Sequence, residues 1–323
     1  MTTPILQVQG LKKHFISTRG IVGRDKSIVK AVDGIDFEVN AGETVGLVGE
    51  SGCGKTTAGR TIVRLYEPTA GKIFFEGQDI SNISKNEMKP LRSQIQMIFQ
   101  DPYASLNPRQ TVGSIISASF VIQKVNPPNG IKIAVQDLLA RVGLNPEHIN
   151  RFPHEFSGGQ RQRIGIARAL ALRPKLIIAD EPVSALDVSI QAQVVNLLDA
   201  LQDDFGLSYL FITHDLSVVQ HISDRVIVMY LGKIMEIAKT QSLFSSPHHP
   251  YTKALLSAVP IPDPEIERKR ERIVMTGDLS SPANPPTGCV FNTRCWKAQD
   301  MCRSVAPELL QVGASQVACH FPE

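Results

Sequence analysis

Short apolar runs alternate with longer amphipathic segments along the chain up to about residue 245. Four of the runs are typical of strands buried on both faces of a sheet. These runs are Thr44 to Val48, Leu176 to Ala179, Tyr209 to Thr213 and Val226 to Tyr230. The segments between them have the length and periodicity of helices, so the pattern predicts an α/β core.

Proline marks a change in architecture near residue 245. Eight of the 21 prolines lie between residues 247 and 286. Beyond the change come a Pro-rich linker, a charged segment at residues 265–272 and a tail that carries four cysteines. We therefore predict one domain over residues 1–245 and a small extension over residues 246–323.

Composition excludes several classes of protein. The 323 residues are 42% hydrophobic and 20% charged, which is typical of a globular chain and not of a disordered or collagen-like one. The formal net charge of +3 gives no electrostatic reason to expect nucleic acid as the main partner. The sequence has no run of 18 apolar residues and does not open with a basic region followed by an apolar run. We therefore expect neither a spanning helix nor a signal peptide, and a chain that stays in the cytoplasm.

A phosphate-binding loop follows the first of the four predicted strands. Residues 49–57 read GESGCGKTT, which has a Gly, four residues and then Gly-Lys-Thr at the start of a helix. The glycines let successive backbone N–H groups point at phosphate oxygens, and the helix N-terminus adds the positive end of its dipole. We expect Lys55 to neutralise the β and γ phosphates and Thr56 to give a hydroxyl to Mg²⁺. The predicted nucleotide-binding residues of the loop are Gly49, Glu50, Ser51, Gly52, Cys53, Gly54, Lys55, Thr56 and Thr57.

An acidic pair, Asp180 and Glu181, ends the second predicted strand. A parallel strand delivers its last residue into the crevice where α/β sheets bind ligands. Asp180 is therefore predicted to hold Mg²⁺, directly or through water, and Glu181 to act as a general base on the attacking water. Such a pair is often only a solvated turn, and the phosphate loop upstream favours the catalytic interpretation.

A second helix N-terminus suited to anions begins at Ser157, where SGGQ precedes a helix-forming run. One such helix end is enough for one nucleotide, so a second one requires an explanation. SGGQ resembles the signature motif of the ATP-binding-cassette family, and the resemblance covers about residues 5–245. In that family two cassettes pair head to tail, and each ATP lies between one subunit's phosphate loop and the other's signature helix. The resemblance implies an α/β P-loop ATPase with a mixed-sheet core and a helical signature subdomain, followed here by the Cys-containing extension.

The same resemblance assigns roles to further residues. Gln100 matches the glutamine that senses Mg²⁺ and the attacking water, and His214 matches the switch histidine that contacts the γ phosphate. Phe15 matches the aromatic residue that stacks on adenine, where the family commonly has a tyrosine. Residues 184–187 match a loop that communicates across the dimer. The residues expected to complete the partner's site are Ser157, Gly158, Gly159 and Gln160.

Features of the chain outside the nucleotide motifs indicate which class of cassette protein it resembles. Only about 100 residues separate Lys55 from Ser157, too few for the coiled coils of chromosome-maintenance cassettes. Translation-associated cassettes carry two copies in one chain, and exporters usually fuse the cassette to membrane helices. A finer resemblance, to the ATPases of bacterial dipeptide and oligopeptide importers, is carried by residues 100–113, 245–260 and 284–295. Within that group the chain is most similar to the F-type subunit of the dipeptide system.

This finer resemblance implies a peripheral ATPase on the cytoplasmic face of the bacterial inner membrane that energises peptide import. The implied partners are a related D-type ATPase in a heterodimer, two permease subunits and, indirectly, a periplasmic substrate-binding protein, with no nucleic acid. Tyr103 to Arg109 are expected to contact the permease, and a solvated loop is the alternative. The alternative functions are import of haem, glutathione or nickel by the same kind of ATPase, and a DNA-associated ATPase.

Four of the five cysteines lie in the last 35 residues, with five, six and sixteen residues between them. These four are Cys289, Cys295, Cys302 and Cys319. Zinc modules usually bring their ligands in closer pairs, whereas a [4Fe-4S] cluster takes four Cys ligands. Some peptide-importer ATPases that this chain resembles carry such a cluster here. We expect the cluster as a cofactor beside ATP and Mg²⁺, holding the tail folded, with zinc or reduced thiols as alternatives.

Overall fold

The computed structural model describes residues 3–19, 25–260, 272–275, 277 and 280–323, together with residues 265 and 268. The strands are β1 (Leu6–Arg19), β2 (Asp25–Val39), β3 (Thr44–Val48), β4 (Ala70–Phe75), β5 (Gln78–Asp79), β6 (Ile95–Ile98), β7 (Leu176–Asp180), β8 (Ser208–Ile212), β9 (Arg225–Tyr230), β10 (Lys233–Lys239), β11 (Leu310–Val312) and β12 (Ser315–Val317). The helices are α1 (Lys55–Ile62), α2 (Lys85–Leu91), α3 (Pro102–Ser105), α4 (Val112–Gln123), α5 (Ile131–Arg141), α6 (Gly158–Leu170), α7 (Val188–Phe205), α8 (Leu216–Ile222), α9 (Thr240–Ser245), α10 (Pro250–Ser257) and α11 (Asp300–Ser304). Two 3-10 helices span Pro146–Asn150 and Pro153–Glu155.

The described strands form two sheets. The smaller sheet is antiparallel and has the order β2-β1-β4-β5. The larger sheet has the order β11-β12-β10-β9-β3-β8-β7-β6. Its strands from β9 to β6 run parallel, while β10, β12 and β11 pair antiparallel. The prediction of an α/β fold on a mixed sheet is confirmed.

The four strands predicted from apolar runs lie at the centre of the larger sheet. β3 has the predicted bounds, β7 and β9 are each one residue longer at one end, and β8 lies one residue earlier at both ends. Every residue of β3, β7 and β8 is buried. The parallel arrangement explains the continuous apolar runs, because both faces of these strands are covered.

Separate clusters of apolar side chains cover the two faces of the larger sheet. On one face α1 and the smaller sheet pack against the central strands, with Leu6, Ile62 and Leu210 in one cluster. On the other face α4 to α7 pack through residues such as Phe120 and Ile164. Because β3, β8 and β7 run parallel, their carboxyl ends lie at one edge of the sheet. The loops that follow these strands meet there.

Residues beyond position 245 pack directly on the rest of the chain. Glu236 of β10 pairs with Val317 of β12, so the larger sheet continues into the C-terminal region. Phe291 is fully buried and its ring centroid lies 5.3 Å from those of Tyr230 and Tyr251. In the part of the chain that the structure describes, no helix combines the length and the apolarity needed to cross a bilayer.

Candidate nucleotide site

The phosphate loop joins β3 to α1 and turns sharply at its glycines. Gly49 has a φ of 149° and Gly54 a φ of 107°, which are left-handed conformations that favour glycine. A Cβ atom would lie 2.1 Å from the Met229 carbonyl oxygen at the first position and 2.0 Å from the Ala31 carbonyl oxygen at the second. Both glycines are therefore required for the backbone to curl at the end of the sheet.

Lys55 lies inside this loop and is almost fully buried. Its Nζ donates to the carbonyl oxygens of Gly49 at 2.7 Å and Glu50 at 3.0 Å. Cys53, also buried, has its sulfur 3.8 Å from the same Nζ, and burial raises the pKa of its thiol. The ammonium group is thus held where the loop closes, and a phosphate oxygen would compete with the loop's own carbonyls for it.

Thr56 and Asp180 meet across 124 positions of sequence. The Thr56 hydroxyl donates to Asp180 Oδ1 at 2.7 Å. The other carboxylate oxygen is buried without a hydrogen-bond partner among the described residues, and its nearest cation is Arg60 Nη2 at 3.8 Å. Burial raises the pKa of Asp180 above its usual range, against the effects of Thr56 and Arg60. An unpaired buried carboxylate oxygen beside a hydroxyl is a donor set that fits Mg²⁺.

Glu181 lies between Gln100 and His214. The Gln100 amide Nε2 donates to Glu181 Oε2 at 2.7 Å, and His214 Nδ1 lies 3.2 Å from Glu181 Oε1. Each of these three residues follows a different parallel strand, namely β6, β7 or β8. The structure therefore brings the predicted general base together with the predicted sensing glutamine and switch histidine.

One cavity of about 770 Å³ contains most of the predicted nucleotide-binding residues. This volume is in the range of small-molecule sites. Its lining includes Gly49, Glu50, Ser51, Gly52, Gly54, Lys55, Thr56, Thr57, Gln100, Glu181 and His214. It also includes residues that the sequence did not indicate, namely Val29, Ala31, Leu216, Leu255 and Pro282.

Phe15 is not among the residues that line this cavity. Its ring packs edge-on against Tyr66 with the centroids 5.5 Å apart, and Lys13 Nζ lies 4.9 Å from its centroid. Val29, which pairs with Phe15 across the β1–β2 ladder, lines the cavity instead. Adenine stacking on Phe15 stays a prediction.

The signature residues lie apart from this cavity. Ser157 is the N-cap of α6 and forms a capping box with Gln160. The Ser157 hydroxyl oxygen accepts the Gln160 backbone N–H, and the Gln160 side-chain oxygen accepts the Ser157 backbone N–H. Both residues are exposed. None of the four residues from Ser157 to Gln160 is among those that line the cavity of the described chain. The N-terminus of α6 is thus free to face another molecule.

The loop predicted to contact the permease includes α3. Tyr103 is 60% exposed, and the Arg161 guanidinium lies 4.0 Å from the centre of its ring. Leu106 is buried, and Arg168 Nη1 donates to the Ser105 carbonyl oxygen at 2.6 Å. The loop is therefore anchored to α6 while its aromatic side chain faces solvent. Ser184 of the predicted communication loop donates to the Glu181 carbonyl oxygen at 3.1 Å.

Comparison with known proteins agrees with this geometry. The family model described as ABC transporter matches residues 32–184, and the model described as oligopeptide/dipeptide transporter, C-terminal region, matches residues 235–302. The chain is 59% identical over 319 residues to the oligopeptide transport ATP-binding protein AppF of Bacillus subtilis (strain 168), which covers 98% of this chain and 97% of that protein. The chain belongs to the ABC transporter ATPases of the oligopeptide and dipeptide group. It is accordingly an ATPase whose hydrolysis of ATP is coupled to peptide transport.

Other members and relatives of the family are similar over comparable lengths. The dipeptide transport ATP-binding protein DppF of Haemophilus influenzae is 50% identical over 319 residues, with 98% of this chain and 96% of that protein covered. The ATP-binding cassette MJ0796, solved as a dimer in a post-hydrolysis state with ADP and Pi, gives a TM-score of 0.65 at 26% identity, over 73% of this chain and 98% of that one. The cbiO1 protein from Clostridium perfringens, part of the ABC transporter complex cbiONQ, gives 0.64 at 29% identity, over 75% and 91%.

The four C-terminal cysteines of this ABC ATPase line one small cavity, which His249 and Phe291 also border. All five cysteines of the chain are free of disulfides. Burial raises the pKa of Cys289 to about 11 and also raises the pKa of Cys295 and Cys319. Within the described ranges, no group of three or more His, Cys, Asp or Glu side chains meets the requirements for holding a metal ion. The four thiols thus surround one space, but not at the spacing of ligands to one metal ion.

The C-terminal region also contacts the phosphate loop. Tyr251 and Arg294 both reach Glu50, from 201 and 244 positions away. Leu255 and Pro282 add apolar surface to the nucleotide cavity. No local sequence pattern indicated these contacts, because they exist only once the C-terminal region has packed against β9 and β10.

Proposed function

We propose that this chain is the ATP-hydrolysing subunit that energises import of dipeptides or oligopeptides across the bacterial inner membrane. The observation that carries the proposal is the position of Glu181 between Gln100 and His214, at the edge of a cavity that also contains the phosphate loop. A site with this geometry, in a chain of the oligopeptide and dipeptide group, supports hydrolysis in the service of transport rather than nucleotide binding alone.

Lys55 and the phosphate loop bind the nucleotide in this proposal. The Lys55 ammonium exchanges its carbonyl partners, Gly49 and Glu50, for β and γ phosphate oxygens. Loop N–H groups and the N-terminus of α1 bind the same phosphates. Cys53 is buried in the loop, where its side chain only fills space.

Thr56, Asp180 and Gln100 are the residues that would hold Mg²⁺. When bound, the ion neutralises charge on the phosphate oxygens. Glu181 accepts a proton from the attacking water, and Gln100 and His214 hold its carboxylate in place for that step. Catalysis then rests mainly on positioning and charge, since no covalent intermediate with the protein is needed.

A second ATPase subunit completes the site. Ser157, Gly158, Gly159 and Gln160 lie outside the chain's own cavity, and the exposed N-cap of α6 is suited to binding phosphate oxygens of a nucleotide held by a partner. We assign the partner to the related D-type ATPase, which makes the assembly a heterodimer. Residues 184–187 lie next to Glu181 and communicate across that interface.

The permease subunits dock on the loop from Tyr103 to Arg109. The exposed Tyr103 ring and its attachment to α6 through Arg161 connect this loop to the signature helix. Closure of the two cassettes over ATP can therefore move the docking loop together with α6. The chain then acts as a peripheral subunit on the cytoplasmic face, and a periplasmic binding protein delivers the peptide from the other side.

Cys289, Cys295, Cys302 and Cys319 would hold a [4Fe-4S] cluster, which would keep the C-terminal region folded. Support comes from the gathering of four thiols around one cavity beside the buried Phe291. When bound, the cluster would supply metal–thiolate bonds to all four of these cysteines and so cross-link the C-terminal region. Residues 1–245 form the ATPase domain, and residues 246–323 form an extension that packs against it.

Co-purification with the permease tests the transport role. The chain is expressed with its D-type partner and permease subunits, reconstituted in lipid and assayed for ATP hydrolysis with peptides of two to five residues. We expect hydrolysis that rises when binding protein and peptide are both added. Stimulation by haem, glutathione or nickel instead would reassign the substrate, and stimulation by DNA with a steep dependence on salt would reassign the class.

A further inference from the structure

Glu50, the second residue of the phosphate loop, is held through three of its groups. Its carbonyl oxygen accepts from Lys55 Nζ at 3.0 Å. Its backbone N–H donates to the Tyr251 hydroxyl at 2.9 Å. Its carboxylate oxygen Oε2 lies 2.7 Å from Arg294 Nη1. Two of these three partners come from the C-terminal region, outside the cassette.

The contact between Arg294 and Glu50 is shielded from water. The two side chains are 10% and 23% exposed. The Arg294 guanidinium also lies 5.9 Å from the centre of the Tyr230 ring. A shielded, charge-assisted hydrogen bond restrains its partner more strongly than an exposed surface pair does.

The Tyr251 side chain is held in place by buried aromatic neighbours. Its side chain is fully buried, and its ring centroid lies 4.7 Å from that of Tyr230 and 5.3 Å from that of Phe291. Its hydroxyl oxygen therefore occupies a fixed point beside the loop. By accepting the Glu50 N–H, it satisfies this amide and fixes the direction in which the chain leaves β3.

These contacts bear on nucleotide affinity because ATP binding would remove the contact of Glu50 with Lys55. When Lys55 donates to phosphate oxygens, Glu50 keeps Tyr251 and Arg294 as its partners from the C-terminal region, and its carbonyl oxygen keeps the longer hydrogen bond from the Cys53 N–H, at 3.3 Å. The loop bends through left-handed glycines on either side, so it is costly to hold in a single conformation. Residues that hold it beforehand lower the entropy lost on binding.

We infer that Arg294 and Tyr251 are positioning residues of the ATP site, and that the C-terminal region thereby supplies part of the affinity for ATP. The inference rests on the proposed ATP site. Neither residue lines the cavity, so each acts through Glu50 and the loop. The effect is expected in the Kd and KM for ATP rather than in kcat at saturating ATP.

The test measures ATP binding by calorimetry, with Mg²⁺ present, on the full chain. We expect Arg294→Gln and Tyr251→Phe each to raise the Kd about three- to tenfold, the range for loss of one such contact. Arg294→Lys keeps the charge and should recover part of the affinity. The control is Lys253→Gln, which breaks the ion pair between Lys253 and Glu323 within the C-terminal region and should leave the Kd unchanged.

A double-mutant cycle separates positioning from general destabilisation. Glu50→Gln alone should raise the Kd as Arg294→Gln does, and the double variant should add little to either, because both remove the same contact. Additive effects, or an unchanged Kd in folded Arg294→Gln and Tyr251→Phe, would overturn the inference. Failure of the wild-type chain to bind ATP would instead overturn the proposed function. If Arg294→Gln does not fold, Arg294→Lys and Tyr251→Phe decide the result.

Discussion

Gln100 and Glu181 are 81 positions apart in the sequence, and Gln100 Nε2 donates a hydrogen bond to Glu181 Oε2 across 2.7 Å. Glu181 also has a φ of 46°, a left-handed conformation that is uncommon for a residue with a side chain. Backbone strain of this kind is concentrated at functional sites. The backbone conformation thus directs the Glu181 carboxylate, and the hydrogen bond from the Gln100 amide holds it in place.

Gln100→Ala should lower kcat while the protein remains folded. Removal of the amide frees the Glu181 carboxylate, and we expect turnover to fall by about 10- to 100-fold, a typical size for a misplaced general base. Steady-state ATPase assays measure the change. Gln96→Ala is the matched control, because Gln96 lies on the strand that precedes Gln100 and its side chain bonds to the Arg92 carbonyl oxygen, away from Glu181. Equal losses in the two variants would contradict the role of Gln100.

Asp180→Asn should weaken the dependence of ATP binding on Mg²⁺. Asparagine can still accept the Thr56 hydroxyl, so the fold is kept, but the charge on the unpaired buried oxygen is lost. We expect the affinity for Mg²⁺ in the presence of ATP to fall by about 10- to 100-fold. Titration of Mg²⁺ at fixed ATP measures it. Thr56→Ser, which keeps the hydroxyl, should behave as the wild type, and an unchanged Mg²⁺ titration in Asp180→Asn would exclude Asp180 as a ligand.

The two signature glycines should respond differently to alanine. A Cβ at Gly159 would lie 2.5 Å from Ile190 Cγ2, so Gly159→Ala should lower the free energy of unfolding by about 1–3 kcal/mol. A Cβ at Gly158 has its nearest contact at 3.7 Å, so Gly158→Ala should fold normally. The added methyl group then faces the partner's nucleotide and lowers ATPase activity only in the assembled pair. Thermal unfolding and ATPase assays with the partner separate these effects, and full activity of the assembled Gly158→Ala variant would count against the shared site.

The cysteine cavity should hold iron in protein purified without oxygen. We expect a brown protein with broad absorbance at about 400 nm and about four irons per chain. Cys295→Ala should lose most of this iron, whereas Cys53→Ala, in the phosphate loop, should keep it. Elemental analysis decides between the alternatives. Zinc in place of iron would replace the cluster with a zinc site, and a colourless, metal-free protein would leave reduced thiols.

His249 should make stability fall as the pH drops below about 6.5. Burial lowers the pKa of His249 to about 3, so the folded chain keeps it neutral while the unfolded chain takes up a proton below its ordinary value of 6.5. Protonation would also remove the acceptor Nδ1 that caps α10 through the Tyr251 N–H. Glu236 is a charged neighbour, and its carboxylate already accepts the backbone N–H of His249. The stability is therefore complete above pH 6.5 and is lost below it, by at most about 1.4 kcal/mol per pH unit from this group.

Denaturant unfolding between pH 7 and 5 measures this effect, because most carboxylates stay ionised in that window. His249→Asn keeps a capping acceptor but does not titrate, so its stability should change less with pH than that of the wild type. If the free energy of unfolding changed equally with pH in the two proteins, His249 would contribute no pH dependence.

The sequence pointed to Glu181 because it ends an apolar strand, and to Gln100 and His214 through the family resemblance. The structure places each of the three after a parallel strand, and parallel strands bring their carboxyl ends to one edge. The contacts of Arg294 and Tyr251 with Glu50 had no such signal, because they arise from packing of a region more than 200 positions away. The continuation of the sheet through β12 was equally hidden, since a three-residue strand is too short to show a period.

We propose Glu181 as the general base of an ATPase that drives peptide transport. The most direct measurement compares the wild type with Glu181→Gln, each reconstituted with its partner and permease in lipid. We predict unchanged ATP affinity, a closed dimer that accumulates with ATP, and turnover lower by about 100-fold or more. Unchanged turnover in Glu181→Gln would exclude Glu181 as the general base.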